Sequence, residues 1–208
     1  MIPTRQWYLL SSSWDKSPLV VISVEANFHH HLSEVVYQNI SSGVAISVIQ
    51  SLHANLTTEW YEALLYWKLY SQPAAVSNLR RWLPSFKPGV LKSFLTAAPT
   101  ILSRNIPDVM SLVNVVGRYQ LPGMKSETAL PVRTTFLHIL YPNVVPIFDQ
   151  MVLKAVGAWY EGSNQSTSVL RQYIPHAWAL ADRHAQQRSG FKETAVRLTD
   201  MALWLTRA

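Results

Sequence analysis

Asp149 is the residue from which the chemistry of this sequence is best approached. It follows Pro146-Ile147-Phe148 and precedes a helical stretch, 150–157, that ends at Gly157. An aspartate in that place is an N-cap, its carboxylate accepting backbone N–H bonds from the following turn. The same carboxylate can stabilise positive charge developing on a substrate, or orient and deprotonate a water. Spacing alone leaves both readings open. His138 falls on the amphipathic stretch before Asp149. There it either donates to a substrate or water or is a half-buried histidine with its own partners. Trp60, Tyr61, Tyr66 and Trp67 recur at helical spacing, as walls of a pocket or as plain core. His29-His30-His31 looks like a metal tract. Adjacent helical residues point about 100° apart, however, so three in a row do not converge on one ion. Ser11-Ser12-Ser13 has no visible partner base.

The formal net charge is +6 over 208 residues, and its location says more than its size. Residues 1–79 carry three basic and five acidic side chains, residues 80–133 eight and two, and residues 134–208 seven and five. The middle segment, with Arg80, Arg81, Lys87, Lys92, Arg104, Arg118, Lys125 and Arg133, therefore equals the whole excess. A local positive field of this kind attracts a polyanion such as nucleic acid. The plainer reading is a solvated basic face. Arg118, Lys125 and Arg133 are candidate phosphate contacts. Lys125, at a turn, is the better placed of the last two.

Composition removes several classes. With 49% hydrophobic and 14% charged residues, the chain has material for a large core and is wrong for a disordered protein. Cysteine is absent, which excludes a disulfide scaffold, thiolate zinc or iron–sulfur ligation and a cysteine nucleophile. Neither a GxGxxG nor a GxxxxGK[ST] cradle occurs. No apolar run reaches the roughly 18 residues of a membrane span. Trp14, Asp15 and Lys16 interrupt the N-terminal layout of a signal peptide. The expectation is a soluble cytoplasmic monomer that needs no metal or organic cofactor.

The elements that must position Asp149 read as helices. Apolar residues at helical spacing mark 57–70, 107–118, 132–140, 168–182 and 192–206, with 44–55 a further candidate. The stretch 17–24 allows a short strand through its β-branched content, with 25–37 continuing as a helix. Pro73, Pro84, Pro88 and Pro99 break the chain between the aromatic stretch and the basic segment. The expected fold is all-α, about eight to ten helices. Residues 1–80 form an N-terminal helical part, and residues 81–208 a part holding the turn and the aspartate.

Residues 117–157 carry a family resemblance. Leu121-Pro122-Gly123 followed by Thr128-Ala129, then Pro146, Asp149, Val152 and Lys154, resemble the hairpin and aspartate segments of the helix–hairpin–helix DNA glycosylase superfamily. One bacterial branch is similar over Leu130–His138, over Pro146–Gln150 and over the terminal Leu198-Thr199-Asp200-Met201-Ala202-Leu203-Trp204. The resemblance covers about 117–207. It implies a multi-helix glycosylase-like fold, a catalytic Asp149, and DNA bound through Arg118, Gly123, Lys125, Arg133 and Lys154. His138, Trp60, Tyr61 and Trp67 would serve the base pocket or the water. Two departures shape the chemistry. Lys125 replaces the second hairpin glycine, and Glu127 stands where bifunctional members place a lysine nucleophile. The implied activity is therefore monofunctional: water attacks, no Schiff base forms, and an abasic site remains after loss of a damaged or modified base. Modified bases in phage DNA, and hence antiviral defence, are one such substrate class. A non-catalytic nucleic-acid-binding module and a nucleoside or tRNA-base N-glycosidase on the same scaffold are the alternatives.

Overall fold

The computed structural model describes residues 4–10, 19–25, 72–124, 129–155, 166–183 and 194–205, with positions 61, 64, 65, 68 and 69 in helical conformation. At the N-terminal end, β1 (Thr4–Leu10) and β2 (Leu19–Glu25) pair antiparallel, from Thr4 opposite Glu25 to Leu10 opposite Leu19. β2 is the run whose composition allowed a strand. Val20, Val21, Ile22 and Val24 are β-branched and favour the extended backbone. The all-α expectation thus holds for the described residues from Tyr61 onward and is corrected at this hairpin. Glu25 ends β2 instead of opening a helix. Residues 26–37 and the 44–55 stretch lie outside the described residues.

Seven helices are bounded among the described residues: α1 (Pro73–Trp82), α2 (Pro88–Ala97), α3 (Ile106–Arg118), α4 (Leu130–Leu140), α5 (Gln150–Ala155), α6 (Thr167–Arg183) and α7 (Ala195–Leu205). A 3₁₀ turn, Leu83–Ser85, follows α1. Of the prolines expected to break the chain, Pro99 follows the end of α2 and Pro84 lies in the 3₁₀ turn, but the other two start helices. Pro73 and Pro88 open α1 and α2, and α3 and α4 also carry proline in their first two positions. None of these four N-termini has a side-chain cap bond. Proline suits them because its φ is already helical and its missing N–H would have no partner in the first turn. Among the described residues, no helix is long and apolar enough to cross a membrane.

α4 is the centre of the core. Every residue from Val132 to Leu140 is buried, so the helix faces protein all round. Its polar side chains are consequently bonded: Thr135 donates to the Pro131 carbonyl at 2.7 Å, and Thr134 donates to the Leu130 carbonyl at 2.9 Å. Phe136 meets Tyr61 edge-on at 5.4 Å and Phe94 at 5.5 Å. One hydrophobic cluster joins Tyr61, Leu64, Leu65 and Leu69 to Leu79 and to α2–α7. The core therefore runs continuously across position 80. α3 packs on α4 and α6, and α7 packs on α5, α6 and β1.

The expected turn at Leu121-Pro122-Gly123 is present. The Met124 N–H donates to the Leu121 carbonyl at 2.9 Å, and Gly123 has φ +78°. Proline second and a left-handed glycine third define a type II turn. A Cβ on Gly123 would also lie 3.2 Å from Leu65 Cδ2. Gly123→Ala should therefore cost about 1–3 kcal/mol. Gly89, with open space around it in the first turn of α2, provides the control. Gly89→Ala should be neutral or stabilise by up to about 1 kcal/mol. Urea unfolding of the two variants checks the contrast.

Candidate functional site

The path from α4 to Asp149 is fixed carbonyl by carbonyl. Thr194 Oγ1 donates to the Pro142 carbonyl at 2.8 Å, and Arg104 Nε to the Asn143 carbonyl at 2.9 Å. Trp178 Nε1 donates to the Val144 carbonyl at 2.6 Å, and His138 Nδ1 to the Val145 carbonyl at 2.5 Å. Four successive acceptors are thus satisfied by side chains from four parts of the chain. The Phe148 N–H then donates to Thr134 Oγ1 at 3.0 Å, tying the residue before Asp149 back to α4. Buried backbone groups must be paired. Here the pairing fixes where the following carboxylate stands.

Asp149 is the N-cap expected of it. Its Oδ1 accepts the N–H groups of Met151 at 2.9 Å and Val152 at 3.1 Å. Its Oδ2 faces Lys68 Nζ at 2.7 Å, an ion pair whose side chains are only 12% and 15% exposed. Burial pushes the Asp149 carboxyl up, but the Lys68 charge and bond, with the two backbone N–H bonds, outweigh it and hold the group below the ordinary carboxylate range. Asp149 is therefore an anion at neutral pH and a weak proton acceptor. Of about four lone-pair positions on its two oxygens, the described contacts take three, leaving one acceptor position on Oδ2.

A second ionic pair lies deeper. On α7, Arg197 Nη1 meets Asp200 Oδ2 at 2.6 Å, both side chains 6% exposed. Burial pushes the Asp200 carboxyl up to about 6; Arg197 and Lys68 pull it down, and Asp149 pushes it further up. Tyr173 on α6 has its ionisation opposed by burial first and then by the charges of Asp200 and Asp149. His138 is driven down to about 3, by burial first and then by Arg197 and Lys68, against its bond to Val145. It is neutral, and because a carbonyl only accepts, its proton is on Nδ1. Lys68, His138, Asp149, Tyr173, Arg197 and Asp200 thus form one electrostatic group around the start of α5.

The other residues singled out from the sequence divide. Tyr61 is buried, and its hydroxyl donates to the Pro122 carbonyl at 2.7 Å, so it holds the turn from within the core. Arg118 and Lys154 are exposed. Arg133 corrects the expectation of a phosphate contact. It is buried, with Nη2 donating to the Met124 carbonyl at 3.1 Å and the guanidinium lying against Gly117. A helix without a solvent face cannot present a cation to a partner. Within the basic segment, Arg81, Lys87, Lys92 and Arg118 are exposed, whereas Arg104 pairs with Asp182 at 2.5 Å. Trp60, Trp67, Lys125 and the Arg80 side chain lie outside the described residues, as do His29-His30-His31. No group of three His, Asp or Glu suited to a metal ion occurs among the described residues.

Sequence reading missed Lys68, Tyr173, Arg197 and Asp200. A signal for two of them exists. Lys68 is spaced four and three residues after the buried Leu64 and Leu65, and Asp200 four after Val196 and three before Leu203. A charge on the apolar stripe of a helix requires a partner from elsewhere. No protein family, curated protein or solved structure matches this chain.

The two carboxylates carry opposite pH signatures. Asp200 titrates near 6 when folded, against an ordinary value of 3.8, so its contribution to stability is full below the ordinary value and is lost as pH rises through about 6. Asp149, held low, contributes above the ordinary carboxylate range and loses that contribution as pH falls. His138, held at about 3 when folded against an ordinary 6.5, contributes stability that grows as pH rises over the same range. Thermal unfolding between pH 4.5 and 7.5 should therefore show wild type gaining less stability with rising pH than Asp200→Asn, in which the opposing Asp200 loss is gone; the absolute Tm of Asp200→Asn also falls because Arg197 stays buried.

Proposed function

We propose that this protein is a monofunctional DNA glycosylase, hydrolysing the N-glycosidic bond of a damaged or modified base. The observation that carries the reading is the Lys68–Asp149 ion pair, 2.7 Å apart and still reachable from solvent at the start of α5. Breaking an N-glycosidic bond makes the sugar positive and the departing base negative. An anion and a cation held side by side are the complement of that charge separation. Asp149 faces the sugar, where a permanently ionised carboxylate acts as an electrostatic stabiliser. Its low proton affinity makes it a poor general base, which fits a dissociative reaction in which water captures the cation late. Lys68 faces the departing base. The lysine is part of the charge complement here and forms no covalent bond.

DNA is the proposed partner. Arg81, Lys87, Lys92 and Arg118 in the basic segment, and Lys154 after the aspartate, are exposed. No acidic residue occurs between Glu62 and Asp108, so α1 and α2 carry basic side chains and no acidic ones of their own. The Asp149 cap bonds also fit a binding module without catalysis, and the test separates the two. Purified protein is incubated with plain duplex, with duplexes carrying damaged bases and with phage DNA carrying modified cytosines; abasic sites are scored by alkaline cleavage. The wild type should produce abasic sites on one class. Asp149→Asn should lower the rate by about 100-fold or more, with DNA binding retained. Lys68→Met should also lose rate on the same substrate. Binding that survives with no abasic sites on any DNA leaves the binding module standing.

Replacing Arg81, Lys87, Lys92 and Arg118 by alanine tests the DNA face separately. Each lost phosphate contact should reduce the slope of log K against log salt by about 1 on duplex DNA. An unchanged slope from fluorescence anisotropy removes these residues from the interface.

A further inference from the structure

Two large hydrophobic side chains stand exposed among the described residues, Trp82 at 37% and Ile101 at 65%. A single exposed apolar residue is ordinary; the surroundings separate these two. Ile101 lies in the α2–α3 connection, where the neighbouring cation, Arg104, is already taken by Asp182 and the Asn143 carbonyl. Trp82 ends α1, and three hydrogen bonds close the turn around it. The Leu83 N–H donates to the Leu79 carbonyl, Ser85 Oγ to the Trp82 carbonyl at 2.8 Å, and the Phe86 N–H to the Leu83 carbonyl at 2.9 Å. Other residues fill the core side of this turn. Leu79 is fully buried, Leu83 and Phe86 pack against the hydrophobic cluster, and the Phe86 ring lies 5.4 Å from that of Tyr61. Adjacent helical residues point about 100° apart. With Leu79 and Leu83 turned inward, Arg81 and Trp82 fall outward, and both are exposed. Lys87 at the N-cap of α2 and Lys92 within α2 are exposed as well. None of these three cations enters an ion pair among the described residues.

We propose that Trp82, with Arg81 and Lys87, is a binding site for an unpaired nucleotide of DNA, the indole stacking on the base and the two cations taking the adjoining phosphates; this rests on DNA being the partner, as read above. The ligand follows from the residue types. An indole face complements the face of any base. In a closed duplex those faces are covered by the neighbouring pairs, so an open ring selects a strand whose bases are unstacked. The guanidinium and the ammonium neutralise phosphate without regard to sequence. One short turn carries all three side chains. Arg81 adjoins Trp82, and Lys87 follows five residues on, at most about 18 Å along the chain. Phe86 already anchors that turn on the core, which leaves the indole for a partner. A closed duplex meets only the cations.

Two short single strands of DNA test this by fluorescence anisotropy with the full chain. One has a mixed sequence that does not pair with itself. The other has the same length with every nucleoside replaced by tetrahydrofuran, which keeps the phosphates and removes the bases. Wild type should bind the base-bearing strand about 5- to 100-fold more tightly, the effect of one stacked base. Trp82→Leu keeps an apolar side chain on the turn but has no ring face. It should lose that preference and bind the baseless strand as wild type does, whereas Trp82→Phe should retain most of it. Arg81→Gln combined with Lys87→Gln should weaken both strands alike and lower the slope of log K against log salt by about 0.7 for each lost contact. Equal affinity of wild type for the two strands overturns the stacking site without any variant having to fold, and salt-dependent binding in the same titration leaves the DNA reading intact. A preference unchanged in Trp82→Leu overturns Trp82 as the stacking residue. No salt-dependent binding to either strand or to duplex overturns this site and the DNA reading together.

Discussion

A carboxylate taken mostly out of water must find its charge partners inside the protein, and Asp149 is that carboxylate. Its partners are two backbone N–H groups supplied locally and one ammonium supplied from 81 residues earlier in the chain. The local pair needs only the first turn of α5. The ammonium needs the helical segment carrying Lys68 to be docked against α4. That docking rests on Tyr61, Leu64, Leu65 and Leu69 in the common core and on the Tyr61 bond to Pro122. The type II turn and the ion pair are therefore linked: the same helical segment closes over the turn at Gly123 and delivers Lys68 to Asp149.

Precision on the other side comes from α4. A helix buried all round has no freedom to tilt without opening cavities, and its polar side chains act as fixed pins. Thr134 and His138, one turn apart, hold Phe148 and Val145 respectively. The intervening carbonyls are held by α6 through Trp178, by the residue before α7 through Thr194, and by the α2–α3 connection through Arg104. The neutral state of His138 belongs to this scheme. A buried imidazole that titrates near 3 keeps its Nδ1 proton on the Val145 carbonyl over the whole neutral range. Its position is that of a structural pin for the aspartate segment.

What was legible in the sequence follows from how local each signal is. Helical periodicity located α3, α4, α6 and α7 to within two or three residues, because each buries a stripe or more of its own side chains. The turn and the cap at Asp149 were legible because proline, glycine and aspartate act on their immediate neighbours. α1 and α2 were hidden because proline was read as a breaker, although the first turn of a helix tolerates it. β2 was ambiguous because a short β-branched run fits either state. The ionic pairing of Lys68 is a long-range fact with no local trace beyond a cation on an apolar stripe. Arg133 misled for the converse reason: a basic residue in a basic segment reads as surface until the helix bearing it proves to have no surface.

The division of labour between the two ion pairs follows from burial and field. Asp200 and Arg197 are enclosed, and enclosure raises the carboxyl toward neutrality even beside a guanidinium. Desolvation costs such a pair much of its Coulomb gain, so it adds little net stability while fixing the geometry of α7 against its neighbours. Asp149 and Lys68 retain partial contact with solvent, and two additional N–H donors lower the carboxyl instead. Of the two acids, Asp149 combines a negative charge across the neutral range, an acceptor position left open by the described contacts and the greater exposure, 15% against 6%. In the glycosylase reading proposed above, those are the properties that would serve a transient sugar cation. The two environments push the carboxyls in opposite directions, and the one held ionised is the one nearer solvent.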